Sequence, residues 1–172
     1  MNIVFKNGML MAGVLLVFYV LFYFINPALN INPILSFILP IAAGIFFVRK
    51  AIIEDKTNRD GSISFGEAFA TGFGTIAIGL STYMILTFVH LKLDQDYNDL
   101  VMQASKEQAV AAMEKMAEFM NIKGNDFDTA MEEVMNQNFE LGIGQFALGL
   151  LVNLIFPGAL IALLAAAIIK KN

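Results

Sequence analysis

The sequence predicts an all-α integral membrane bundle of four transmembrane helices, with a two-helix amphipathic extracytoplasmic insert between helices 3 and 4. Three observations predict it. Hydrophobic residues fill 58% of the 172 positions and charged residues 15%, against roughly 45 to 50% apolar and about 25% charged in a globular domain. Four apolar runs are each long enough to cross a hydrocarbon core of about 30 Å. Lysine and arginine gather at alternate ends of those runs, the asymmetry expected of cytoplasmic loops. The length favours one domain, 1–172, and the net charge of -4 argues against a nucleic-acid partner. The absence of cysteine excludes disulfides, thiolate metal sites and cysteine nucleophiles.

The first run, 8–25, follows Lys6 and stops at Asn26 and Pro27, because proline cannot continue a helix. No small-x-small cleavage pattern follows it, so it reads as a span and not as a secretory signal. Tyr19 and Tyr23, near its exit, are expected in an interfacial aromatic belt. A short uncharged link makes the second run, 31–48, the returning arm of an antiparallel hairpin. Pro40 lies inside that run, frees the Ser36 carbonyl and predicts a kink. Residues 49–64 are then polar, with Arg49, Lys50, Lys56 and Arg59 against Glu54, Asp55 and Asp60.

The third run, 65–90, opens on Ser64, Phe65, Gly66 and Glu67, the pattern of a capping box. Small residues recur inside it, so Gly72, Gly74 and Gly79 are helix-packing positions, as are Gly149 and Gly158 of the fourth run. The fourth run covers 142–169 and ends in Lys170 and Lys171. Its Pro157 frees the Asn153 carbonyl and sets a polar spot near the bilayer midplane. Between runs three and four, residues 91–141 carry eleven acids against four lysines. Apolar residues at helical spacing predict two amphipathic helices there, 97–120 and 127–139, broken at 123–125. Counting basic residues near the helix ends places both termini in the cytoplasm and the acidic insert outside.

The string Asp-Gly-Ser-Ile-Ser-Phe-Gly-Glu-Ala-Phe at 60–69 enters a glycine-rich membrane helix that ends near Asp-Gln-Asp-Tyr at 94–97. In this, and in the order of hairpin, basic loop, third helix, acidic methionine-rich insert and lysine-ended fourth helix, the chain resembles an uncharacterised family of small bacterial four-helix membrane proteins. That family is a domain of unknown function. The resemblance implies the inner (plasma) membrane of a bacterium, with the insert periplasmic, and implies no activity.

Glu67 is the one acid inside an apolar run. It reads first as a helix cap that also favours the positive end of the helix dipole, and otherwise as a proton or cation relay with Asn153 or Thr71. Thr71, Thr75 and Thr82 share one side of the third helix, and Asn153 is expected to face them. With Glu67 these four form a polar path, as interhelical hydrogen bonds or as a substrate route. His90, alone at a helix end, makes a poor metal site. Asp94, Asp96 and Asn98 begin like a calcium loop, but Asp99 stands where glycine is needed and Ser105 where glutamate is. Met102, Met113, Met116, Met120 and Met131 form an adaptable packing face for a partner, in preference to a thioether copper site. No metal, cofactor or catalytic constellation is expected, and no enzyme. Two function classes follow. One is a scaffold or accessory subunit that presents its insert to another membrane or periplasmic protein, or to a second copy. The other is a small transporter or channel using the polar face of helices 3 and 4. A reporter active only in the cytoplasm, fused at Gly124, is expected to be silent; activity there would overturn the orientation.

Overall fold

The computed structural model describes residues 2–120, 125–136 and 141–170. The described elements are helical: α1 (Ile3–Ile25), a single turn α2 (Ala28–Ile31), α3 (Pro33–Asn58), α4 (Phe65–Leu93), α5 (Gln95–Met120), α6 (Asn125–Asn136), α7 (Ile143–Asn153), a π-helical turn (Leu154–Ala159) and α8 (Leu160–Lys170). Four stretches are long and apolar enough to span a membrane: Ile3–Ile25, Pro33–Asn58, Phe65–Leu93 and Ile143–Lys170. The chain divides into two compact units, one of Met1–His90 with Ile143–Asn172, the other Leu91–Gly142.

Local chemistry sets the helix ends. The Asn2 side chain accepts from the Val4 amide, and that of Asn32 accepts from Ile34 and Leu35 ahead of Pro33 in the first turn of α3. The first span therefore begins five residues earlier than its apolar run does. At the other end of the hairpin, α3 does not stop where the apolar run stops. It continues through Arg49 and Lys50 to Asn58, because nothing in 49–58 breaks a helix, Glu54 pairs with Lys6 of α1 and Asp55 pairs with Arg59 one turn on. Asp60 and Gly61, at φ 56° and 82°, then turn the chain toward α4. The polar loop thus shrinks to the residues between Asn58 and Phe65.

The two prolines inside spans behave differently. α3 runs on through Pro40, while the Ser36 hydroxyl donates to the Pro33 carbonyl at 3.3 Å. At Pro157 the helix gives way: Phe156 is extended (φ -136°, ψ 118°), the Phe156–Pro157 peptide is cis, and the chain passes through the π-helical turn. Such a wider turn is one way a membrane helix re-pairs the backbone groups a proline frees.

The first unit is packed around α4. Its core includes Met11 and Leu15 of α1, Val48 and Ile52 of α3, Ile76 and Leu80 of α4, and Ala166 of α8. A Cβ placed on Gly72 would lie 2.9 Å from Val48 Cγ1, and one on Gly74 2.8 Å from Val4 Cγ1. On Gly79 it would meet Met11 Sδ at 2.8 Å and the Gly8 carbonyl at 3.1 Å. α4 therefore touches α3 through one of its glycines and α1 through the other two. Gly158 is crowded by Ile76 at 3.1 Å, whereas Gly149 has nothing within 4 Å of its missing Cβ and makes no close approach.

The second unit holds α5 and α6. α5 starts two residues before the expected 97, at the Asp94 carboxylate, which accepts from the Tyr97 amide at 3.0 Å. α6 covers Asn125–Asn136 and so begins two residues before the expected 127, taking in the last residue of the expected break at 123–125; residues 123 and 124, and the expected helix end at 137–139, lie outside the described residues.

Overfilling separates the two kinds of glycine. Gly79→Leu should destabilise the purified protein by roughly 1 to 3 kcal/mol or more, read from thermal unfolding in detergent micelles. Gly149→Leu should stay within about 0.5 kcal/mol.

Candidate functional site

The first turns of α1 and α4 and the last turns of α3 and α8 lie together at one end of the first unit, and a polar cluster joins them. Lys6 pairs with Glu54 Oε1, across from α1 to α3. Beside them Asn7, fully buried, donates from Nδ2 to the Ile3 carbonyl at 3.0 Å and to Glu54 Oε2 at 3.1 Å. On the neighbouring flank of α3, Asp55 accepts from Arg59 Nε at 3.0 Å and from the buried Thr71 hydroxyl at 2.6 Å. One helical turn on, the buried Thr75 hydroxyl donates to the Thr71 carbonyl at 2.8 Å. Lys56 Nζ donates to the Ile169 carbonyl at 3.2 Å, satisfying one of the orphan acceptors at the C-terminus of α8.

Glu67 sits at the rim of this cluster. Its Oε2 accepts from the Ser64 amide at 2.9 Å and from the Ser64 hydroxyl at 2.6 Å, and the Ser64 oxygen accepts from the Glu67 amide at 3.3 Å. That is the reciprocal geometry of a capping box. Oε1 of Glu67 pairs with Arg59 Nη1, so one guanidinium ties the carboxylates of Asp55 and Glu67. The Asp55 hydrogen bond first, then the charges of Asp55 and Glu67, raise the Arg59 pKa above its ordinary value. The guanidinium end of the bridge between α3 and the start of α4 therefore stays cationic.

The expected polar path does not assemble as one line. Thr71 and Thr75 belong to the buried cluster, and Thr82 points its hydroxyl at Met9 Sδ, 3.8 Å away. Asn153 is exposed and donates to the Gly149 carbonyl of its own helix at 2.8 Å, not to the threonines. It lines a cavity of about 30 Å³ with Met11, Ser36, Pro40, Ile76, Leu80 and Pro157. That is room for a water or two and no more. The amide side chain reaches the carbonyl four residues back in its own helix and closes that local bond instead of crossing to a neighbour.

Tyr19 also departs from expectation. Tyr19 is buried and its hydroxyl lies 2.7 Å from His90 Nδ1, while the rings of Tyr19 and Tyr23 meet the imidazole edge-on at 5.6 and 4.9 Å. Tyr19 also meets Tyr83 edge-on at 6.3 Å. Tyr19 therefore faces a helix across the bundle and not a lipid headgroup belt, because α4 brings a hydrogen-bonding partner to its depth.

In the second unit the methionines of α5 share one helical face, and their exposure changes along it. Met102 and Met113 are half-buried, on the side of the buried Asn98 and Ala117, and Asn98 Nδ2 approaches Met102 Sδ at 3.7 Å. Met116 and Met120 are 57% and 58% exposed and flank Phe119, which is 92% exposed. The expected stripe is thus half-covered at Met102 and Met113 and open at the C-terminal end of α5, where Phe119 stands beside it. Met131 of α6 is half-buried. Among the described residues no group of three or more His, Cys, Asp or Glu could hold a metal ion.

As a polar loop, residues 49–64 give no sign of the roles of Glu54 and Asp55, and Asn7 lies just ahead of the apolar run 8–25, where no pattern marks it. The legible signal was the spacing of Asp55 and Arg59, four apart, once 49–58 is known to be helical. A family model described as a protein of unknown function, DUF4199, matches residues 6–171. Neither the curated proteins nor the solved structures give a match.

Thr71→Val removes a buried hydrogen bond to a carboxylate and keeps the shape. It should cost about 1.5 to 3 kcal/mol, whereas Thr82→Val, which loses only a long contact to sulfur, should cost less than about 0.5 kcal/mol. Unfolding of both variants in detergent checks the ranking.

Proposed function

We propose that this chain, which belongs to the DUF4199 family of proteins of unknown function, is a non-enzymatic anchoring subunit of a bacterial inner membrane. Its four spans hold it in the bilayer and its second unit presents the open end of α5 to another protein. The observation that carries the reading is the contrast between the two units. The first is tied together at one end by ion pairs and buried hydrogen bonds and has a core that includes Met11, Ile76 and Leu80. The second leaves Met116, Phe119 and Met120 open on one helical face. A large aromatic with two flexible thioethers is the composition of a protein contact core.

The orientation belongs to the same proposal. The end of the first unit that gathers Lys6, Lys56, Arg59 and Lys170 is the basic one, which favours the cytoplasm for both termini. The insert then works on the periplasmic side, and its partner is a membrane or periplasmic protein or a second copy of this chain.

One observation favours transport: the cavity beside Pro40 and Pro157, with Ser36 and Asn153 on its wall, lies where a helix is broken. The two readings separate by mutation. Phe119→Asp with Met116→Asp should abolish co-purification of the partner from native membranes in mild detergent while the protein inserts and melts as before. Asn153→Leu should leave both the partner and the cellular phenotype intact. Loss of phenotype in Asn153→Leu with the partner retained would overturn the anchoring role.

A further inference from the structure

Along α3 the residues turned away from the bundle form one stripe. Ile34, Phe37, Ile38, Ile45 and Phe46 are each more than half exposed, whereas Phe47, Val48, Ala51 and Ile52 on the other side are buried. In a span, exposure of that kind is contact with lipid. The stripe then changes its chemistry: Phe46, Arg49, Lys50 and Ile53 stand at i, i+3, i+4 and i+7, one helical face, and all four are exposed.

The bases of this face are the ones the protein itself does not use. Lys6 is taken by Glu54, Arg59 by Asp55 and Glu67, and Lys56 by the Ile169 carbonyl. Arg49 has no hydrogen bond or ion pair among the described residues. Lys50 lies 6.0 Å from the centre of the Phe47 ring and acts at a distance on Glu54, which Lys6 already holds. Residues 1–67 hold five bases against four acids, and Lys170 at the end of α8 adds a sixth, so two positive charges at this end have no acid to answer them.

Depth narrows what can answer them. Arg49 is five residues, about 7.5 Å along the axis, nearer the bilayer centre than Glu54. From Pro33, at the start of α3, to Arg49 the helix covers about 24 Å, less than a hydrocarbon core of about 30 Å. The guanidinium therefore lies at the boundary of acyl chain and headgroup, reaching outward on its apolar stem. A partner there must carry an anion and an apolar tail together, since Phe46 borders the bases on the side of the bilayer centre. We propose that Arg49 and Lys50 hold the phosphate of an anionic phospholipid, with the planar guanidinium on two phosphate oxygens, Lys50 as the second charge and Phe46 against the acyl chain. This lipid site does not rest on the anchoring role or on what the insert binds.

The test is native mass spectrometry of the full chain from micelles holding equal amounts of phosphatidylglycerol and phosphatidylcholine with the same acyl chains. The wild-type protein should retain the anionic lipid over the zwitterionic one by about fivefold. Arg49→Gln with Lys50→Gln should erase that preference. Lys106→Gln with Lys115→Gln, which removes as much charge from the second unit, should leave it unchanged. Equal retention of the two lipids by the wild type overturns the proposal. So does an equal loss in both double variants, which means charge attraction without a site. Inorganic phosphate in excess should not displace the lipid, and displacement, the mark of a plain anion site, defeats the proposal. Should the Arg49 and Lys50 double variant fail to fold, Arg49→Gln alone should at least halve the preference, and an unchanged preference there overturns the site as well.

Discussion

Inside a bilayer, helices gain nothing by hiding leucine from lipid, so association rests on how closely backbones can approach and on what polar groups meet when they do. In this protein that constraint falls on α4. Gly72 admits Val48 of α3, Gly74 admits Val4 of α1, and Gly79 admits Met11 and the Gly8 carbonyl. With α1 and α3 drawn in at these points, Ile76 and Leu80 are buried between them and Thr71 and Thr75 lose contact with solvent. The polar cluster follows from that approach. A threonine hydroxyl excluded from water must bond within the protein, and Thr71 reaches Asp55.

The cluster places its charges with care for their cost. Ionised groups inside hydrocarbon are expensive, and here Glu54, Asp55 and Glu67 lie within the last turns of α3 and the first turn of α4, each with a base or a hydroxyl on it. The two ends of the first unit differ accordingly. One end is stitched by ion pairs, while His90 is held by tyrosines whose rings meet it edge-on. The aromatic arrangement bonds through rings and through the Tyr19 hydroxyl.

The fourth span shows a different compromise. Its break at Phe156 and Pro157 interrupts the helix beside α4, and Gly158 lets the interrupted segment lie against Ile76. A broken helix that packs this tightly is positioned by its neighbour, which is why the small cavity there stays lined mostly by apolar side chains.

Sequence alone determined what depends on composition and on residues within one turn of each other. The four spans, the acidic insert and the Ser64–Glu67 cap are of this kind, because hydropathy and capping are local. What only the tertiary structure decided depends on residues far apart in the chain. Asn7 meets Glu54 across 47 positions, Tyr19 meets His90 across 71, and Thr71 meets Asp55 across 16. No periodicity records such partners, since the side-chain pattern of a helix says which face is apolar and not which helix it will face. The same reason separates Gly79, pressed on Met11, from Gly149, which presses on nothing, although both are glycines in apolar spans.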